Sequence, residues 1–130
     1  MVNHNGIIIY KTSHQKGRRH DYDVYKKNHP ITPKDVVNVF DLRYFGVEKD
    51  FPEQLSSIPN RKKRNIELSQ EEKEYNAQHA KKRIVIGHNI CRLKKYRILA
   101  DTFRNRLRKY NRVSNIVSGL VNYRILNHYC

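Results

Sequence analysis

The segment that opens at Ser69-Gln70-Glu71-Glu72 constrains this chain more than any other. A serine with a glutamate three residues later forms a capping box. The hydroxyl takes a backbone amide of the first turn, and the carboxylate returns to the serine's own amide, so two orphan donors are satisfied. Nothing disqualifies a helix from there until roughly Ala100, so a long helix is predicted from near Gln70. Its surface is already marked. From His79 to Arg112 twelve Lys and Arg (81, 82, 83, 92, 94, 95, 97, 104, 106, 108, 109, 112) stand against the single acid Asp101, a local excess of +11. Like charges at that density repel one another unless an anion lies among them.

Composition extends the same argument. The chain has 130 residues, with 27 Lys+Arg against 12 Asp+Glu and a formal charge of +15, which points to a polyanion and most directly to nucleic acid. The plainer alternative is a solvated basic face, and the composition also permits a small RNA-binding or ribosome-associated protein. The length suits one domain. No run of about 18 apolar residues exists to span a membrane, and Met1 to Gly6 has neither the cationic start nor the apolar stretch of a signal peptide. Cys91 and Cys130 are no disulfide framework and suit a reducing compartment, so a cytoplasmic protein without membrane partners is expected.

Gly6 to Lys11, with three successive isoleucines, reads as a buried strand. Gly17-Arg18-Arg19 ends a polar loop, and His20 to Asn28 reads as a helix with Asp21 and Asp23 near the favourable end of its dipole. His29-Pro30 breaks it, and Thr32-Pro33-Lys34-Asp35 has the cap and proline of a short turn. Val36 to Phe40 is a second strand, apolar enough to be central in a sheet, and it ends at Asp41. In open α/β sheets functional groups gather at the carboxyl ends of strands, so Asp41 is either a site acid or an ordinary turn or N-cap aspartate. Residues 52 to 68 read as a connector that carries the cations Arg61-Lys62-Lys63-Arg64, which can reach phosphates or stay solvated. Phe103, Leu107 and Tyr110 make one helical stripe, and Val113, Ile116, Val117, Leu120 and Val121 make another; both read as core.

Arg83, Gly87 and Lys94 are spaced by four and seven, which at about 100° per residue puts them within about 40° of one another on one helix face. Glycine inside a helix costs about 1 kcal/mol relative to alanine and buries nothing. Close packing explains such a residue, and so does the loss of a former side chain.

Here the sequence resembles the DDE-type insertion-sequence transposases, in the branch allied to the Harbinger elements. Arginine, three residues, glutamate, six residues and lysine form the C-terminal signature of that family. An Asp-Leu-Gly-Tyr-like motif at a strand end supplies its second catalytic acid, and Asp41-Leu42-Arg43-Tyr44-Phe45-Gly46 fills that place with Arg43 where the family prefers glycine. The resemblance extends through His20-Asp21, Arg61 to Asn65, Leu68 to Lys73 and Ile90 to Lys94, and covers nearly everything from Gly6 to Leu126.

The resemblance implies an α/β, RNase H-like fold, in which three carboxylates hold two divalent ions (Mg²⁺ or Mn²⁺) for phosphodiester attack on DNA. Mg²⁺ needs oxygen ligands, and two ions about 4 Å apart stabilise attacking and leaving oxygens together. Asp41 is then the residual second acid and metal ligand, and Gly87 stands where the catalytic glutamate belongs. The first acid is expected on a strand before residue 6. Arg61, Lys62, Lys63, Arg64, Arg83, Arg92, Lys94 and Lys95 are the expected DNA contacts. His20, Asp21 and His88 are expected to steady the site without binding metal, and Asp23 is read the same way. The expected organisation is a partial fold lacking its first strands: a strand-rich part over 6–50, a connector over 51–68 and a basic helical part over 69–126. Such a chain should be catalytically silent and either marginally stable or associated with itself or an intact relative. A basic DNA-binding protein without chemistry is the alternative.

Overall fold

The computed structural model describes residues 1–15, 19–104 and 106–127, with Leu107 described by its backbone alone. Gly17 and Arg18 of the expected loop, the Leu107 side chain and Cys130 lie outside the described residues. The chain gathers into two compact units, one of His20–Ile84 and one of Met1–Arg19 with Val85–Cys130. The boundary falls within the long helix.

In the His20–Ile84 unit, helix α1 covers Asp21–Lys27. His20 is its N-cap, with a ring nitrogen accepting from the Tyr22 amide at 3.3 Å. Asp21 and Asp23 sit in the first turn and Lys26 and Lys27 in the last, the arrangement the helix dipole favours. Strand β1 (Val37–Val39) runs parallel to β2 (Leu55–Ser57), with Val37 opposite Leu55 and Val39 opposite Ser57.

This sheet differs from the expectation in two ways. The stretch read as a connector supplies β2, and β1 is not a strand with both faces covered, because Val36 and Val37 are exposed while Asn38 is buried. Asn38 tolerates burial because its amide donates to Thr32 Oγ1 at 2.9 Å. The apolar floor forms instead from Tyr25, Phe40 and Val47, with Tyr22, Tyr44, Phe51 and Ile58 against them. Tyr25 meets Phe40, Tyr44 and Phe51 edge-on at 5.3, 5.7 and 5.7 Å, and its hydroxyl donates to Gln54. Val47 opens the one-turn helix α2 (Val47–Asp50), entered through Gly46 at φ 99°, a conformation that glycine adopts without strain.

Helix α3 covers Gln70–Lys94, and its capping box forms as expected: Ser69 N–H donates to Glu72 at 2.8 Å and Glu72 N–H to the Ser69 hydroxyl at 3.2 Å. Its first half is hooked to the exit of β2. Buried His79 donates from Nε2 to the Ser57 carbonyl at 3.0 Å. Asn76 accepts from the Asn60 amide at 2.7 Å and donates to the Asn60 carbonyl at 3.0 Å, doing the work of a strand residue. Helix α3 stops at Lys94, short of the expected Ala100, and a separate turn, α4 (Arg97–Ala100), follows Tyr96 in extended conformation. Arg92 and Lys94 lie in the last turn of α3, where cations complement the carbonyl end.

In the other unit, residues 6–11 are not a buried strand. Only an isolated antiparallel bridge joins Val2 to Ile8, and Ile9 is 60% exposed. The backbone there is met partly by residues 1–3, with Asn3 N–H donating to the Ile7 carbonyl at 3.0 Å and Ile9 N–H to the Met1 carbonyl at 3.1 Å, and partly by side chains. Ile7 N–H donates to Asn3 Oδ1, while Ile8 exchanges two hydrogen bonds with the Asn122 amide, at 2.8 and 2.9 Å. Asn122 lies on α5 (Leu107–Leu126).

The buried face of α5 is also rotated from the expected stripe: Ser114, Val117, Ser118 and Val121 are inside, while Ile116 and Leu120 are exposed. A buried serine costs little when its hydroxyl bonds back to its own helix, and Ser118 does so at 2.7 Å to the Ser114 carbonyl. Phe103 precedes α5, so the first expected stripe is not helical, yet its ring still meets Tyr110 at 4.7 Å.

Candidate nucleic-acid-processing site

Phe40 N–H donates to the Ser57 carbonyl at 2.9 Å, carrying the β1–β2 ladder one step further and leaving Asp41 at the carboxyl end of β1. Asp41 stays extended (φ −85°, ψ 162°) and precedes a single 3₁₀ turn, Leu42–Tyr44, closed by Tyr44 N–H on the Asp41 carbonyl at 2.9 Å. Asp41 thus holds the N-cap position, but its carboxylate makes no capping bond. The carboxylate reaches across to α3 and accepts from Arg83 Nη2 at 2.8 Å, with each side chain roughly one-third exposed, 34% for Arg83 and 38% for Asp41.

A second acid stands nearby. Asp21, at the start of α1, pairs with Arg43 at 3.5 Å. Tyr44 senses both acids: burial pushes its phenol above the ordinary range, and the charges of Asp21 and Asp41 push it the same way. Each of the two acids therefore has an arginine of its own. Sequence reasoning singled out Asp21, Asp41 and Arg83 one by one and missed the pairing of Arg43 with Asp21, for which the unusual arginine in the motif was the available signal.

The remaining expected residues are placed as follows. Gly87 is exposed in the middle of α3, and a Cβ added there would meet nothing within 4 Å. His88 is exposed beside it, and His20 serves as the α1 cap. Arg61 to Arg64 are exposed, with Lys94 and Lys95 exposed at the end of α3. Arg92 is half-buried, its Nη1 3.4 Å from where a Cβ on Gly6 would lie.

These donors do not fit a pair of divalent ions. Asp41 is engaged by a guanidinium, position 87 offers a hydrogen, and among the described residues no group of three or more His, Cys, Asp or Glu is arranged to hold a metal. Among the same residues no helix is long and apolar enough to cross a membrane.

A sequence model of the DDE superfamily endonucleases matches residues 1–122. The probable transposase for insertion sequence element IS702 of Microchaete diplosiphon is 35% identical over 125 residues, which is 92% of this chain and 45% of that protein. The chain therefore spans less than half the length of that relative. No solved structure matches it. With the motif acid at a strand end, its arginine partner on α3 and a family match over nearly its whole length, the chain belongs to the DDE superfamily endonucleases, among the insertion-sequence transposases.

Proposed function

We propose that this chain is a DNA-binding part of a DDE transposase that performs no strand cleavage of its own. The family's reaction depends on carboxylates that hold divalent metal, within an RNase H-like sheet of which this chain carries the strand ending at Asp41. The observation that carries the reading is Gly87: the position assigned to the family's glutamate ends in a hydrogen, and the space around it is open. This argument is independent of any residues that precede the chain in a longer protein. The Asp41 carboxylate, for its part, already has a cation in Arg83.

The retained half of the chemistry is phosphate binding. Arg61, Lys62, Lys63, Arg64, Lys94 and Lys95 are exposed cations suited to a DNA backbone, and Arg83 and Arg92 lie on α3. A chain that occupies DNA without cutting it would compete with an intact relative for the same sites.

Purified protein mixed with supercoiled plasmid and Mg²⁺ or Mn²⁺ should give no nicked product, and Gly87→Glu alone should stay silent. Duplex binding should weaken steeply with salt, at a slope of roughly −0.9 per phosphate contacted, and removing the Arg61–Arg64 cations should flatten that slope by about one for each. Metal-dependent nicking that Asp41→Ala abolishes would overturn the silent reading. Absence of duplex binding at low salt would overturn the DNA reading.

A further inference from the structure

Tyr44 and Phe45 are neighbours whose burial runs against their chemistry. The phenol of Tyr44 is packed against the Tyr25 and Phe40 rings, while the bare phenyl of Phe45, with nothing polar to keep in water, is 60% exposed. This exposure is built into the backbone. Phe45 N–H is fixed to the Leu42 carbonyl at 3.1 Å, and Gly46 at φ 99° turns the chain away immediately afterwards. Burial of this exposed ring by a partner would remove its apolar area from water.

The surroundings select the partner. The Arg61 guanidinium lies 5.7 Å from the centroid of the Phe45 ring, in cation–π range. Arg61 begins the run of four cations, and that run is also held in place. Asn60, just before it, is bonded twice to Asn76, and Ile66 N–H closes a turn on the Lys63 carbonyl at 3.3 Å, with Asn65 in the left-handed region at φ 63°. Asparagine tolerates that conformation better than most residues. A flat exposed ring, a planar cation over it and a row of phosphate-seeking side chains are together the chemistry of an unpaired nucleotide. Duplex bases keep their π-faces stacked on one another and offer none to a protein ring, whereas an unpaired base has a free face and phosphates on either side.

We propose that Phe45 with Arg61 is a stacking platform for an unpaired nucleobase, with the Lys62 to Arg64 turn receiving the adjoining phosphates. This rests on the DNA-binding reading above and narrows it to single-stranded or locally opened DNA. The site lies four residues from Asp41, so it would hold a base beside the strand end that carries the residual acid.

The test compares the full chain with Phe45→Leu and Phe45→Trp, each checked for native circular dichroism. The probes are a short single-stranded oligothymidylate carrying one 2-aminopurine and a matched duplex. Phe45→Leu should weaken single-strand binding by about 5- to 150-fold, the range for loss of one stacked base, and should abolish the 2-aminopurine quenching. Phe45→Trp should keep both, and duplex affinity should stay within about twofold for all three proteins. Unchanged single-strand binding by Phe45→Leu, with duplex binding intact, would overturn the platform and leave the DNA reading standing. Equal losses on single strand and duplex would also overturn it, because Phe45 would then act through the fold. If the unaltered chain binds neither probe at low salt, the DNA-binding reading itself fails and the platform with it.

Discussion

Asp41 and Gly87 stand at two positions where the motif reading expects carboxylates, and their surroundings differ in kind. Asp41 stands at a strand end over an aromatic floor, with an arginine at 2.8 Å and a half-buried tyrosine, Tyr44, that senses its charge. Gly87 lies on an exposed helix face with nothing within 4 Å of a would-be side chain. An acid at position 41 is part of the packing and charge balance of its unit. A Cβ at position 87 would meet nothing within 4 Å, so the packing of the fold does not depend on a side chain there. The comparison teaches that the fold constrains position 41 through packing and charge, while position 87 is open to substitution.

The largest blow to the Asp41 side of this contrast should come from below. Tyr25 is the ring that Phe40, Tyr44, Phe51 and His29 all meet, and its hydroxyl is bonded to Gln54. Tyr25→Ala should cost about 3–5 kcal/mol in urea unfolding, the range for deleting a large buried ring. Hydrogen exchange should show the loss first at Phe40 and Tyr44, whose amides sit on either side of Asp41. A cost under about 1 kcal/mol would mean that the aromatic cluster is not the support under the acid.

A smaller effect isolates the ion pair. A cycle of Asp41→Asn, Arg83→Met and the double variant should give a coupling of about 0.2–1 kcal/mol, modest because both side chains are roughly one-third exposed (34% and 38%). The coupling should shrink in high salt, since partly exposed charges are screened. Additive variants would place Asp41 on the same footing as Gly87, as a residue the fold does not use.

What the sequence made legible follows the range of the interaction involved. The capping box at Ser69, the helix after His20 and the strand ending at Asp41 depend on residues a few places apart, and all three form. The segment from Gly6 to Lys11 forms no more than a bridge to Val2, and the other side of Ile8 is met by Asn122, 114 residues away, an asparagine in a strand's place that no local pattern announces. The inner face of α5 was legible in part for a related reason: Val117 and Val121 are buried as expected, but Ser114 and Ser118, polar by composition, take the places expected of Ile116 and Leu120, with the Ser118 hydroxyl satisfied on the Ser114 carbonyl. Within the candidate site, Asp41 and Arg83 were each visible through the motif. Their pairing was not, because it joins residues 42 apart, and Phe45 was invisible because exposure of a ring cannot be read from its identity.

The smallest predicted effect has the opposite sign. Gly87→Ala should stabilise the chain by about 0.5–1 kcal/mol, because alanine loses less backbone freedom on entering a helix and its methyl group meets nothing within 4 Å. Gly6 provides the control. Its φ of 84° and the Arg92 guanidinium 3.4 Å from a would-be Cβ mean that the same substitution there should destabilise. Thermal melts of the two variants beside the unaltered chain check both signs. Destabilisation by Gly87→Ala would show that the glycine is kept for close approach of a neighbour, and the position would then have to be read as a contact surface.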